Sequence, residues 1–416
     1  MAILLVLCLA YNVAMVMSTP LDDYVNKPDS TYTYNVTDVN HENGYTFYVI
    51  NMTSQTWEKG FQSRPIWWHI MYVIIPDRLK SRDTGYLYIA GNKEILIRHQ
   101  VTLTTEFAVS TGTICAVITL VPNEPIIFKN DPDRKSRVGN SLLAWTWKSF
   151  IESEGKHPNI LLHLPMTKAC VRALDTIYDL SLKQKQVSID KFLVSGLSKR
   201  GWTAWNLASV DKRVIAVAPI VMDMLHVVKN LHHVYRALGG WSFAFKSFYD
   251  VDITKNLDAP YTEQLGAIVD PIYYKDVLKT KPKYIISAGG DELFMVDDTI
   301  LYFNEIKGNT YLRMVPKADH STLGFETSIL SGIKAFYSSV IKNVSLPQIS
   351  WTLNTTSTGG MITLKSNIKP LTVSYFYGTT LDGKRKDFRM FIGCPGNTSL
   401  PWPHHIHWYE NNVTQT

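Results

Sequence analysis

A mostly parallel β-sheet flanked by helices is predicted by three strand-and-loop units that follow one another in a fixed order. In the first, Phe192, Leu193 and Val194 run into Gly196-Leu197-Ser198, and a helix-compatible segment, Trp202 to Val210, follows. In the second, Tyr284 to Glu292 reads YIISAGGDE, an apolar strand and a glycine turn leading to Asp291. In the third, Tyr311 to Ser321 reads YLRMVPKADHS, a short strand and a loop carrying His320. Strand, sharp turn with a serine at its apex, then helix is a nucleophile elbow. Serine, acid and histidine in that order, each after a strand, is the order of α/β-hydrolases. The expected fold is therefore α/β-hydrolase: a mostly parallel central sheet, flanking helices and a cap insertion, followed by a small C-terminal antiparallel β domain.

The elements are taken in chain order. Residues 1–18 read as a secretory signal peptide, with an apolar run from Ile3 to Ala10, small residues after it and Ser18 at the cleavage position. No Lys or Arg precedes the run. A membrane anchor is the alternative, but the run is short and broken by Asn12, and no other stretch is long and apolar enough to span a bilayer. The hydrolase domain is expected over 19–346. Tyr45 to Met52 and His69 to Pro76 suit the antiparallel strands that open the sheet. Tyr86 to Gly91 and Cys115 to Pro122 are continuous apolar runs, as strands buried on both faces require. Ser141 to Glu154 and Met166 to Leu180 have helical spacing, and Arg213 to Val221 is another buried strand. Leu225 to Lys281 interrupts the sheet and is rich in aromatics, so it reads as a cap. Thr322 to Asn343 reads as the final helix.

Residues 347–393 alternate apolar and polar between turn residues, and predict the β domain, a partial sandwich. Within it Gly378 to Lys384 fits G-x-x-x-x-G-K. Arg385 follows instead of Ser or Thr, and no helix follows, so this is an Asp-Gly hairpin turn and not a phosphate loop. Residues 394–416, with His404, His405 and His407, are expected to form a disordered tail.

Bulk properties remove several classes. The 416-residue chain is 45% apolar and 19% charged, which is ordinary globular material with a large core. A net charge of +6, with Lys384-Arg385-Lys386 the densest basic cluster, gives no nucleic-acid footprint. Six sequons, at Asn35, Asn51, Asn343, Asn354, Asn397 and Asn412, accord with secretion and glycosylation. Cys8 leaves with the signal, and Cys115, Cys170 and Cys394 make no disulfide framework; a bridge between Cys115 and Cys170 is left open. No metal-ligand spacing occurs, and no cofactor or metal is expected.

The chemistry assigned is acyl transfer. Ser198 is the nucleophile, His320 the base and Asp291 the acid that orients it. Asp223, after the strand before the cap, is the alternative acid, with Asp297 and Asp298 close behind Asp291. His226, His232 and His233 rival His320, but their place in the cap suits substrate contact or packing. The oxyanion donors expected are the Lys199 N–H and one from Gly91 or Asn92. The side chains of Lys199 and Arg200 either bind a carboxylate or oxyanion, or turn away into ion pairs. Arg200 and Trp241 are candidate pocket residues. One irregularity stands out: the pattern is G-x-S-x-x-G, with Gly201 one place later than usual.

Six further segments carry a resemblance. They are Thr19 to Val25, Arg64 to His69, Leu164 to Ala169, Ser198 to Trp202, Gly239 to Phe243 and Asp270 to Tyr274. With them the chain resembles the PhoPQ-activated pathogenicity-related protein family, which includes secreted autocrine proliferation repressors, over about residues 20–390. The resemblance implies an α/β-hydrolase fold and an elbow serine, and settles no substrate. Where that family commonly has Glu-Asp before an Ala-Trp helix, this chain has Gly139-Asn140, which puts retained activity in doubt. Two readings follow. One is a secreted serine hydrolase acting on a small-molecule or peptide-like acyl substrate. The other is a secreted signalling protein that uses the scaffold to bind a cell-surface receptor, without required catalysis.

Overall fold

The computed structural model describes residues 18–413, so the expected signal peptide lies outside the described residues except for Ser18. Nine strands form one sheet. They are β1 (Thr33–Glu42), β2 (Tyr45–Thr56), β3 (Ile66–Pro76), β4 (Thr84–Ile89), β5 (Cys115–Ile118), β6 (Lys191–Leu197), β7 (Val214–Ile220), β8 (Lys283–Ala288) and β9 (Thr310–Val315). Their order is β1-β2-β3-β5-β4-β6-β7-β8-β9. The pairings β1/β2, β2/β3 and β3/β5 are antiparallel, and every pairing from β5/β4 onward is parallel. The principal helices are α1 (Pro20–Asn26), α2 (Glu94–Thr111), α3 (Asn140–Glu152), α4 (His163–Lys185), α5 (Lys199–Val210), α6 (Val227–Leu238), α7 (Pro260–Val269) and α8 (Glu326–Lys342).

The sequence pattern explains this arrangement. Along β2 buried residues mostly alternate with more exposed ones, whereas β4 and β6 are buried almost throughout. Helices cover both faces, so each face has its own core. Leu87, Ile118 and Val194 face one core, and Tyr86, Cys115 and Leu193 face the other. Cys170 lies in the first core and Cys115 in the second; both are free thiols, separated by the sheet.

Several of the segments that carry the resemblance are joints. Thr19 and Asp22 cap α1 reciprocally, with Asp22 N donating to Thr19 Oγ1 and Thr19 N donating to Asp22 Oδ2, both at 3.2 Å. The buried Lys168 ammonium donates to Tyr24 O at 3.2 Å and Lys27 O at 2.5 Å, pinning α4 to the end of α1. Asp270, fully buried, accepts from Val227 N at 2.7 Å and Ile272 N at 3.0 Å. It thereby fixes the start of α6 in the segment 225–281, which is helical.

The C-terminal segment is antiparallel β, as expected, but is arranged differently. It forms three separate two-stranded ladders instead of a sandwich: β10 (Ile349–Thr355) with β11 (Gly360–Ser366), β12 (Ser374–Tyr377) with β15 (Tyr409–Asn412), and β13 (Phe391–Cys394) with β14 (Asn397–Pro403). The expected disordered tail supplies β14 and β15. Its partner β12 lies some thirty residues upstream, a non-local pairing that local composition does not encode. Asp382-Gly383 turns the chain, with Lys384 N donating to Asp382 Oδ1 at 2.8 Å, but no ladder flanks the turn. The segment is docked on the body. Lys386 N donates to Ala237 O at 3.0 Å, Met390 N to Gly290 O at 2.8 Å and His404 N to Met390 O at 2.8 Å, and Ile406 is buried.

Removing residues after Lys384 takes away β13, β14, β15 and Ile406 together with the Lys386 and Met390 docking bonds, and leaves β12 without a partner. This truncation is expected to lower the melting midpoint and solubility of the whole protein. An unchanged midpoint in a soluble truncated chain refutes the docking as a source of stability.

Candidate active site

The site is built at the carboxyl ends of β6, β8 and β9. Ser198 follows β6 and precedes α5 with φ of 59° and ψ of −128°. A side-chain-bearing residue rarely occupies such a backbone. It is held by Ser198 N donating to Ile220 O at 2.8 Å and Trp202 N donating to Ser198 O at 3.0 Å. Two glycines make room. A Cβ on Gly196 would lie 2.6 Å from Arg200 O. A Cβ on Gly201 would lie 2.9 Å from Gly196 O and 2.9 Å from Met222 Cβ. The second glycine therefore stands at 201 because that position is the one facing the Gly196 carbonyl.

His320 joins Ser198 to Asp291. Its Nε2 lies 2.8 Å from Ser198 Oγ, and its Nδ1 lies 2.8 and 3.0 Å from the two Asp291 oxygens. Asp291 is buried, and its Oδ1 also accepts from Leu293 N at 2.7 Å and Phe294 N at 3.1 Å. Those amides fix the carboxylate beneath the imidazole. The Phe294 ring stands edge-on to His320, 5.5 Å between centroids. Burial alone would lower the His320 pKa, but the Asp291 carboxylate overrides it and the net shift is upward.

The alternative acid does not reach His320. Asp223 Oδ2 instead accepts from Ser287 Oγ at 2.9 Å, because the end of β7 turns the side chain toward the end of β8. Burial first, and the neighbouring Asp291 charge, push Asp223 up to about 7. Glu292 is likewise raised to about 7 by burial and Asp291. The rival histidines are engaged elsewhere, each 2.8 Å from an acid: His226 on Glu305, His232 on Asp258 and His233 on Asp297.

Lys199 and Arg200 part company. Lys199 opens α5, so its N–H is one of the free amides at the helix start, next to Ser198. Its side chain lines the cavity above the serine and has no ion-pair partner among the described residues. Burial, with Arg200 alongside, pulls its pKa down to about 7 against the opposing effect of Glu124. Arg200 is no pocket residue. Its Nε donates to Val121 O at 2.6 Å and its guanidinium fills the space a side chain on Gly91 would need. Gly91 and Asn92 lie just past Ile89, which pairs with Gly196, so the sheet sets both beside the elbow.

A cavity of about 40 Å³ opens over Ser198. Its polar lining is Ser198, Lys199, Asn140 and Thr254, and the rest is apolar, with Trp147, Trp202, Phe245, Phe248 and Phe294 among it. Trp241 is not part of this wall. It packs behind it, 5.7 Å from the Phe245 ring and 5.2 Å from Tyr235. Asn140 places the Gly139-Asn140 departure inside the site, while Gly139 N donates to Glu124 Oε2 at 2.5 Å. The sequence reading missed Asn140 as a lining residue, and Trp147, Trp202 and Phe294 as walls. Helical spacing on α3 and α5 marks the tryptophans as buried without saying over what.

A model of the PhoPQ-activated pathogenicity-related protein family matches residues 21–389. The chain is 34% identical over 426 residues to Autocrine proliferation repressor protein A of Dictyostelium discoideum, covering 100% of this chain and 84% of that protein. Among solved structures, acetyl xylan esterase from Paenibacillus sp. R4 superposes with a TM-score of 0.51 at 11% identity, covering 76% of this chain and 92% of the esterase. Acetyl xylan esterase 1 from Thermoanaerobacterium sp. JW/SL YS485 gives a TM-score of 0.45 at 12% identity, covering 76% and 93%. The Paenibacillus likeness shows the fold, which is that of an α/β-hydrolase.

The raised His320 pKa sets a pH dependence. A base must be neutral to accept a proton, so labelling of Ser198 by a fluorophosphonate is expected to rise with pH through a midpoint above 6.5. The sign for stability is opposite: the Asp291–imidazolium contribution is full below 6.5 and fades as pH rises through the folded-state value. In Asp291→Asn the largest raising cause is gone and burial remains, opposed only by Glu292, so the midpoint is expected to fall, with slower labelling. An unmoved midpoint rejects Asp291 as the partner that sets it.

Proposed function

Since the chain belongs to the PhoPQ-activated pathogenicity-related protein family, we propose that it is a serine hydrolase acting on an ester, or a peptide-like acyl compound, with an apolar acyl group. One observation carries the reading: the hydrogen-bonded array Ser198–His320–Asp291 opens onto a largely apolar cavity. In this reading His320 Nε2 takes the proton of Ser198 Oγ as the oxygen attacks the acyl carbon. Asp291 holds the Nδ1–H tautomer and stabilises the imidazolium. The Lys199 N–H, with Gly91 or Asn92, supports the oxyanion. The leaving group departs with the proton from His320, and water repeats the sequence to free the acid and regenerate Ser198.

A second reading is favoured by the relative itself, whose name is Autocrine proliferation repressor protein A and whose similarity spans this whole chain. The chain would then be a secreted signal that binds a cell-surface receptor through the hydrolase scaffold. Secretion is proposed for either reading, from the apolar amino terminus and from six sequon asparagines that are all exposed.

Ser198→Ala is expected to abolish fluorophosphonate labelling and to cut turnover of p-nitrophenyl acyl esters by roughly 10³-fold or more, with the melting midpoint unchanged. Wild-type protein that neither labels nor hydrolyses any ester of the series defeats the hydrolase reading. Proliferation repression that survives Ser198→Ala favours the signalling one.

A further inference from the structure

Behind the acid loop lies a polar cluster that the acyl-transfer chemistry does not use. His233 comes from α6, and Asp297 and Asp298 from the loop that follows Asp291. One ligand atom from each lies within 4.8 Å of the others. Asp297 is well partnered, with His233 Nε2 at 2.8 Å and Lys386 Nζ at 2.6 Å. Asp298 is not. It is fully buried, its Oδ2 accepts only from Met295 N at 2.8 Å, and its Oδ1 has no hydrogen-bond partner.

An acidic cluster alone indicates little. The second observation is the ring of unpartnered atoms around this one. The Tyr302 hydroxyl and Asp223 Oδ1 are without partners, and each residue is at most 1% exposed. Asp223 and Asp298 lie close enough to act on each other and on Tyr302. Buried polar groups in folded proteins are paired or bind something. Here Asp223 and Asp298 each keep an open oxygen, and neither has an ion pair among the described residues.

We propose that His233, Asp297 and Asp298 hold a divalent transition-metal ion. One imidazole and two carboxylates suit zinc or manganese better than calcium, which prefers an all-oxygen shell. The ion replaces the proton shared by His233 and Asp297. Asn230 and Tyr302 then become outer partners that orient Asp298. The ion joins the cap helix α6 to the loop that carries Asp291, and Lys386 of the C-terminal segment grips the same Asp297 from outside. Because His233 and Asp297 are 64 residues apart, no local spacing in the sequence announces the site.

The test uses the full-length protein with His405→Ala and His407→Ala, which removes two exposed imidazoles that can take up metal by themselves. After EDTA and dialysis it is mixed with ZnCl₂ or MnCl₂, passed through gel filtration and assayed for metal content and melting midpoint. The expected result is one ion per chain and a raised midpoint. In the same background His233→Gln and Asp298→Asn should each weaken binding roughly tenfold or more. His233 is only partly buried, so His233→Gln keeps the test valid if Asp298→Asn does not fold. A chain that retains neither metal, with a midpoint indifferent to both, overturns the proposal and leaves a shared proton as what joins the carboxyls. A metal response untouched by His233→Gln overturns it equally.

Discussion

The backbone contact between Gly196 and the first turn of α5 is the constraint on which the site depends. Strand and helix approach so closely there that no side chain fits between them, and Ser198 is left at a φ of 59°. A non-glycine residue in such a conformation costs about 1–3 kcal/mol. The neighbouring parallel strands over-determine it: the Ser198 amide is taken by Ile220 of β7, and β6 is locked between β4 and β7. The strain has a geometric return. It lifts Oγ out of the sheet toward His320, and it leaves the Lys199 amide unpaired beside it.

The second determinant is the concentration of acid behind the histidine. Asp223, Asp291, Glu292 and Asp298 are all buried there. Only Asp291 receives both backbone amides and the imidazole. Burial raises Asp223 and Glu292 to about 7, and Asp298 well above its ordinary value. For an acid raised on folding, stability falls as pH climbs from the ordinary carboxyl range toward the folded-state value. The site therefore sits on groups that oppose the fold in neutral solution, a local weakness set against the large apolar cores on both faces of the sheet.

How much was legible in the sequence follows from this. Ser198, Asp291 and His320 could be picked out because each follows a strand, and a parallel sheet brings the ends of its strands to one edge. Arg200 could not be placed, since one residue on a helix turns a side chain by about 100°, and that turn separates the cavity-lining Lys199 from Arg200, which bonds the Val121 carbonyl. Trp241 shows a related limit: aromatic content announces burial but not which of two packed surfaces a ring joins. β14 was hidden by its proline-containing composition, and β15 by polar composition and a distant partner. Conversely, much of the family-specific sequence is architecture: Thr19 caps a helix, Lys168 and Asp270 pin helices, and the buried His69 bonds Ser54 and the Thr119 carbonyl.

The β1–β2 hairpin lies at one open margin of the sheet, and β1 is largely exposed along its length. An unpaired strand of this kind is a template on which another chain can add. Asn35 of β1 stands directly across from Asn51 of β2, and both are exposed sequon asparagines. A branched sugar on either would stand over that margin as a hydrated screen, keeping a second molecule from zipping on. Chains made without sugars, as in a bacterial host, would carry this margin bare, and their tendency to self-associate would report on the margin itself and not on the chemistry at Ser198.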